Sequence, residues 1–100
     1  MLAGMATKRN RVGRAFGEAL RAARTEAQLT QEALAEAADF KTSYISMLET
    51  AVRQPTVTAI IAFEQAMNLE AGELVRRTVA AMRGKQIAVR IMKGKGWKRP

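Results

Sequence analysis

The sequence lacks cysteine and histidine entirely, and only five of its 100 residues are aromatic. Without cysteine, disulfides and thiolate chemistry are excluded, and without histidine the common metal sites and histidine-based catalysis are excluded too. No apolar run approaches the roughly 18 residues that cross a membrane, and the N-terminus lacks an apolar signal segment. We therefore predict one small domain with no catalytic site, metal, cofactor or membrane association, and a core built mainly from Ala, Leu and Ile.

Acidic residues are absent from both ends of the chain. Residues 1–14 carry a net charge of +4 and residues 76–100 a net charge of +9, whereas residues 15–75 hold all nine acids and carry −5. This distribution indicates a polyanionic partner that is attracted mainly by the two ends. The plainer alternative is that the basic ends only keep the protein in solution.

Apolar residues recur at helical spacing along most of the chain and predict an all-α fold. Residues 1–11 are polar, basic and aperiodic, and we predict a flexible basic arm there. Residues 84–100 form a basic tail that is either disordered or contains one short strand, in which Ile87, Val89 and Ile91 alternate with other residues. Between them, residues 12–83 are predicted to hold five helices: 12–27, 31–38, 42–50, 57–67 and 71–83.

The segment Thr30–Pro55 has the layout of a helix-turn-helix, in which two short helices flank a three-residue turn and the second helix enters the DNA major groove. If Ile45 and Leu48 are buried, the opposite face of helix three carries hydroxyl and methyl groups suited to base edges and thymine. That face carries no Arg, Asn or Gln, so helix three cannot read guanine or adenine in bidentate fashion, and we expect modest direct readout with contributions from DNA shape, water and arm contacts. The residues on this face are Thr42, Ser43, Ser46 and Met47, with Tyr44 at one side.

On this layout and on the segment Ser43-Tyr44-Ile45-Ser46, residues from about Phe16 to Val75 resemble the Xre/Cro-like, phage-repressor type of helix-turn-helix family. The resemblance implies a five-helix bundle that binds double-stranded DNA as a cytoplasmic transcription regulator of bacterial or phage origin. It also implies a homodimer formed through the last helices. On helix five, Val75, Val79 and Met82 either form the dimer interface or pack only on the core of their own subunit.

The resemblance assigns roles to individual residues. It implies that Gln31, at the positive end of helix two, contacts a phosphate, although an ordinary solvated glutamine is the alternative. It also implies a structural ion pair between Arg24 and Glu49. Lys41, just before helix three, and Arg53 and Gln54, in the loop after it, are expected to contact backbone phosphates. The complete set of predicted DNA-binding residues is Gln31, Lys41, Thr42, Ser43, Tyr44, Ser46, Met47, Arg53 and Gln54.

Four positions depart from the family pattern. Asp39 stands in the turn where glycine is usual, Lys41 replaces a Ser or Thr cap, and Ala51 replaces a common glycine. Glu64 lies on the apolar stripe of helix four, where it is either paired in the core or part of a partner surface.

Several functions remain compatible with the sequence. The first is a small dimeric repressor. The same fold also serves as the antitoxin of a toxin–antitoxin pair, with a protein partner bound through helix five or the tail, and as the controller protein of a restriction–modification system. A protein-binding module that has lost DNA reading is the alternative from another class. Catalysis is not expected, because Glu32 and Glu36, one turn apart, most simply form a solvated helix face.

Overall fold

The computed structural model describes residues 8–84, and within them the chain forms five helices and no strand. The all-α prediction is therefore confirmed. The predicted strand at Ile87, Val89 and Ile91 lies outside the described residues. The helices are α1 (Lys8–Glu26), α2 (Gln31–Ala38), α3 (Thr42–Glu49), α4 (Val57–Ala66) and α5 (Glu73–Gly84).

The largest difference from the predicted boundaries is at the start of α1. This helix begins at Lys8, four residues before Val12, so residues 8–11 are helical, and residues 1–7 of the predicted arm lie outside the described residues. Residues 8–11 include Lys and Arg, whose straight side chains favour helix, but they lack the apolar periodicity from which the helix was predicted. The other helices differ from prediction by two residues or fewer at each end.

The core lies where α1 packs against α3 and α5, and where α2 and α4 close the bundle. Each helix contributes buried apolar side chains to this core, and burial of each large side chain contributes about 1.5–3 kcal/mol. Ile45 and Leu48 are fully buried, as predicted. The largest fully buried side chains are Phe63, Leu20, Leu34, Ile45, Leu48 and Leu74.

Two threonines cap helices by the same geometry. The Thr30 hydroxyl accepts a hydrogen bond of 3.0 Å from the Ala33 backbone N–H at the start of α2. The Thr56 hydroxyl accepts one of 3.0 Å from the Ala59 N–H at the start of α4. Each bond satisfies one of the four backbone donors that a helix N-terminus leaves unpaired, and so fixes where the helix begins.

Glu64 is a buried cap for another helix. Its carboxylate accepts hydrogen bonds from the backbone N–H groups of Gly72, at 3.1 Å, and Leu74, at 2.9 Å. The side chain is 4% exposed, so the alternative of a partner surface is wrong. The unpaired N–H groups and positive dipole end of α5 stabilise the buried negative charge, and α4 is thereby tied to the start of α5.

None of the helices within residues 8–84 is long and apolar enough to cross a lipid bilayer.

Candidate nucleic-acid interface

The turn between α2 and α3 sets the direction of α3. Asp39 adopts left-handed geometry, with φ of 65°, which aspartate tolerates better than most residues. The Phe40 N–H then donates to the Ala35 carbonyl at 2.8 Å, which closes the end of α2. Lys41 is exposed at the N-cap of α3 and makes no side-chain capping bond, so its ammonium group is available to solvent at the head of this helix.

The outward face of α3 is polar. Ile45 and Leu48 are fully buried, whereas Ser43 is exposed and Thr42, Ser46 and Met47 are half-buried. The two serines are three residues apart and therefore share one side of the helix, opposite the core. This side presents short hydroxyl groups to solvent, as the sequence predicted.

Tyr44 has a packing role that the sequence did not indicate. Its ring stacks on Phe40, with ring centroids 5.1 Å apart, and Phe40 contacts Phe63 of α4 at 5.4 Å. The three rings fasten the start of α3 to the turn before it and to α4. Tyr44 is half-buried, so part of the side chain remains accessible at the edge of the α3 face.

The loop after α3 is held close to the helix. Ala51 adopts left-handed geometry, with φ of 65°, and the N–H groups of Val52 and Arg53 both donate to the Met47 carbonyl, at 2.8 and 3.2 Å. Arg53 and Gln54 are exposed. The side chain of Gln54 lies near α1, since a Cβ atom at Gly13 would be 3.7 Å from its amide group.

Arg24 and Glu49, the pair that the resemblance implies, are joined by two hydrogen bonds. The Arg24 Nε donates to Glu49 Oε2 at 2.6 Å and its second guanidinium nitrogen to Oε1 at 3.0 Å. The Arg24 side chain is 14% exposed and that of Glu49 is 5% exposed. The hydrogen bonds to Glu49 raise the pKa of Arg24 against the opposing effect of burial, so the guanidinium stays charged.

Gln31 belongs to this same network. Its side-chain amide donates to Glu49 Oε1 at 3.0 Å, and Arg24 also donates to the Leu29 carbonyl at 2.8 Å. Glu49 therefore joins the end of α3 to α1 and to the first residue of α2. Gln31 is half-buried and hydrogen-bonded, so the alternative of an ordinary solvated glutamine is wrong, and its contact with a phosphate stays a prediction.

Gly17 was missed by the sequence analysis. A Cβ atom at this position would lie 2.6 Å from the Leu48 carbonyl oxygen and 2.7 Å from that of Glu49. Real Cβ atoms do not approach backbone so closely, so the α1–α3 contact requires glycine. The available signal was a glycine within the apolar stripe of a helix, four residues after Gly13.

The predicted residues therefore stand at the first position of α2, in the turn before α3, along α3 and in the loop after it. Among residues 10–83, no group of three acidic side chains is arranged to hold a metal ion. Two exposed cations, Lys41 and Arg53, lie at the two ends of α3. Such an arrangement suits a ligand that accepts hydrogen bonds and carries negative charge.

Two solved structures of the clp gene regulator ClgR from Corynebacterium glutamicum have a similar fold. One is 24% identical, covers 71% of this chain and 92% of that chain, and superposes with a TM-score of 0.66. The other is 21% identical, covers 89% of this chain and 95% of that chain, and has a TM-score of 0.71. At these identities the likeness establishes the fold. No curated protein sequence gives a significant match.

A family description, helix-turn-helix, matches residues 20–74. The matched region includes α2, α3 and α4 in full, together with the last two turns of α1 and the first two residues of α5. It covers more than half of the chain and agrees with the resemblance seen in the sequence. The chain belongs to the Xre/Cro-like helix-turn-helix family.

Proposed function

We propose that the protein is a sequence-specific transcription regulator that binds double-stranded DNA as a homodimer and represses by occluding a promoter. The observation that carries the proposal is the polar outward face of α3, with Ser43 and Ser46 presented opposite a fully buried face. An α-helix of this kind fits the major groove, where hydroxyl groups exchange hydrogen bonds with base edges. The protein acts by binding, in the bacterial cytoplasm, and not by catalysis.

Phosphate contacts on either side of α3 position this helix in the groove. The N-terminus of α2 offers unpaired N–H groups and a positive dipole end, and Gln31 stands at its first position. The Gln31 amide bears two N–H groups, so one can remain with Glu49 while the other binds a phosphate oxygen. Lys41 and Arg53 supply the positive charges that phosphate oxygens bind.

The proposed dimer uses the exposed side of α5. Val75 and Val79, one turn apart, are 47% and 41% exposed, and Met82 is half-buried. An isologous contact between two copies of α5 would cover these valines and relate two α3 helices by a two-fold axis. Such a dimer binds an operator made of two inverted half-sites.

Selection of duplexes from a random library tests the regulator function. The selected duplex and a scrambled duplex of equal length and composition are compared in a binding titration at moderate salt. We expect the selected duplex to contain an inverted repeat and to bind at least 10³-fold more tightly, as is roughly typical of specific regulators. Equal affinity for the two duplexes would contradict sequence-specific regulation.

A further inference from the structure

Two exposed arginines of α1, Arg14 and Arg21, lie beside the contact between α1 and the end of α3. We call this contact the α1–α3 seam and define it by Gly13 and Gly17. A Cβ atom at Gly13 would be 3.7 Å from the Gln54 side chain, and one at Gly17 would be 2.6 Å from the Leu48 carbonyl oxygen. The seam therefore runs alongside the end of α3 and the loop that follows it.

The helical repeat places both arginines on the same flank of the seam. Successive residues of a helix are rotated by about 100°, so Arg21 lies about 40° and Arg14 about 60° around α1 from Gly17. Arg11 lies about 120° from Gly17 and so points away from the seam. Arg14 and Arg21 are separated by about 10.5 Å along the helix axis, a distance that lets them meet two different phosphates.

Among the residues that the structure describes, no ion pair neutralises the charges of Arg14 and Arg21. Arg24, Arg76 and Arg77 are each paired with glutamates. Arg14 and Arg21 are exposed and make no hydrogen bond or ion pair with any other residue that the structure describes. Glu18 lies between the two arginines in the sequence and is exposed, but within residues 10–83 it forms an ion pair with neither Arg14 nor Arg21.

We propose that Arg14 and Arg21 bind the sugar–phosphate backbone of duplex DNA, as a clamp on the flank of the α1–α3 seam. The proposal rests on the DNA-binding function proposed above. The α1–α3 seam connects two elements that are proposed to bind phosphate, the loop after α3 and the start of α2. At one end of the seam Gln54 lies next to Gly13. At the other end Arg24 and Gln31 both donate hydrogen bonds to Glu49. A DNA strand that contacts both the α3–α4 loop and the start of α2 passes beside this flank, where guanidinium groups bind phosphate oxygens in bidentate fashion.

The test compares Arg14→Gln, Arg21→Gln and the double variant with Arg11→Gln, a matched control on the same helix. The probes are the duplex selected by the wild-type protein and its scrambled counterpart, each titrated between about 50 and 200 mM salt. The magnitude of the slope of log K against log salt should fall by about 0.9 for each single variant and by about 1.8 per protomer for the double variant. Arg11→Gln should change the slope little.

Phosphate contacts carry no sequence information, so both duplexes should lose affinity by the same factor and the preference for the selected duplex should persist. The melting temperature of each variant shows that the fold is intact, and Arg14→Lys with Arg21→Lys should restore most of the slope.

Three results would overturn the clamp: an unchanged slope in the double variant, an equal fall in Arg11→Gln, or a variant slope that the lysine pair does not restore. An equal fall in the control would mean that only net charge attracts DNA. A wild-type protein that does not prefer its selected duplex would instead contradict the proposed regulator function.

Discussion

Gly17 of α1 stands so close to the Leu48 carbonyl of α3 that the two helices leave no room for a side chain: a Cβ atom on Gly17 would lie 2.6 Å from that oxygen. The contact is between backbone and backbone, so neither partner can relieve it by changing a rotamer. It sets how far α3 stands from α1, and with it the height of the outward α3 face above the core.

Gly17→Ala should therefore destabilise the domain, even though alanine favours helix over glycine by about 0.5–1 kcal/mol. Overpacking should cost on the order of 1–3 kcal/mol, which the gain in helix propensity offsets only in part. Gly13→Ala is the matched control, because its Cβ would meet Gln54 at 3.7 Å, an ordinary contact, and should be neutral or stabilising. Urea denaturation of both variants measures the difference, and equal stabilities would contradict the close approach.

Glu49→Ala should destabilise by on the order of 3 kcal/mol, because it strands the charge of Arg24 in a site where that side chain is 14% exposed. Truncation of Arg24 to alanine, alone and together with Glu49→Ala, completes a double-mutant cycle. Strong coupling between the two substitutions is the expected result. Strictly additive losses in unfolding free energy would count against the pair.

Glu64→Ala should cost on the order of 2–3 kcal/mol, since two backbone donors at the start of α5 lose a buried acceptor. Glu70→Ala is the comparison, because the Glu70 side chain is 85% exposed and its contact with Arg76 lies at the surface. The change in stability of this control should be within about 0.5 kcal/mol. Glu64→Ala should therefore have a lower melting temperature than Glu70→Ala. The reverse order would contradict the capping role of Glu64.

Replacement of both Ser43 and Ser46 by alanine should leave the melting temperature nearly unchanged, because Ser43 is exposed, Ser46 is half-buried and alanine is the better helix former. Specific DNA binding should weaken by roughly 1–3 kcal/mol if the hydroxyls read bases. Binding to random duplexes should persist, because charge supplies it. A double variant that keeps the wild-type preference for the selected duplex would show that α3 is not the reading helix and would favour a protein-binding module.

Periodicity was sufficient to predict the five helices, because a repeat of 3.6 residues in apolar side chains is itself the reason that each helix packs. The caps Thr30 and Thr56 are local features for a similar reason, since a cap bonds within its own first turn. Arg24 and Glu49, 25 residues apart, could be paired only through the family resemblance.

The features that the sequence did not predict all depend on contacts between distant segments. The capping role of Glu64 depends on the start of α5, where the Leu74 N–H, ten residues later, donates to its carboxylate. The need for glycine at position 17 depends on the end of α3, which packs against that position. The early start of α1 at Lys8 had no apolar signal at all. The predicted contacts of α3 with DNA remain predictions.

The hydrogen bond from Gln31 to Glu49 has a consequence for the entropy of recognition. A glutamine that is free in solution samples many rotamers, and freezing a flexible side chain on binding costs about 0.5–1.5 kcal/mol. Here the hydrogen bond to Glu49, which is itself held by Arg24, fixes the orientation of the Gln31 side chain in the absence of DNA. The proposed phosphate site on α2 is thus preorganised by an interaction within the fold, so the same carboxylate that holds α1 to α3 also lowers the entropic barrier to docking.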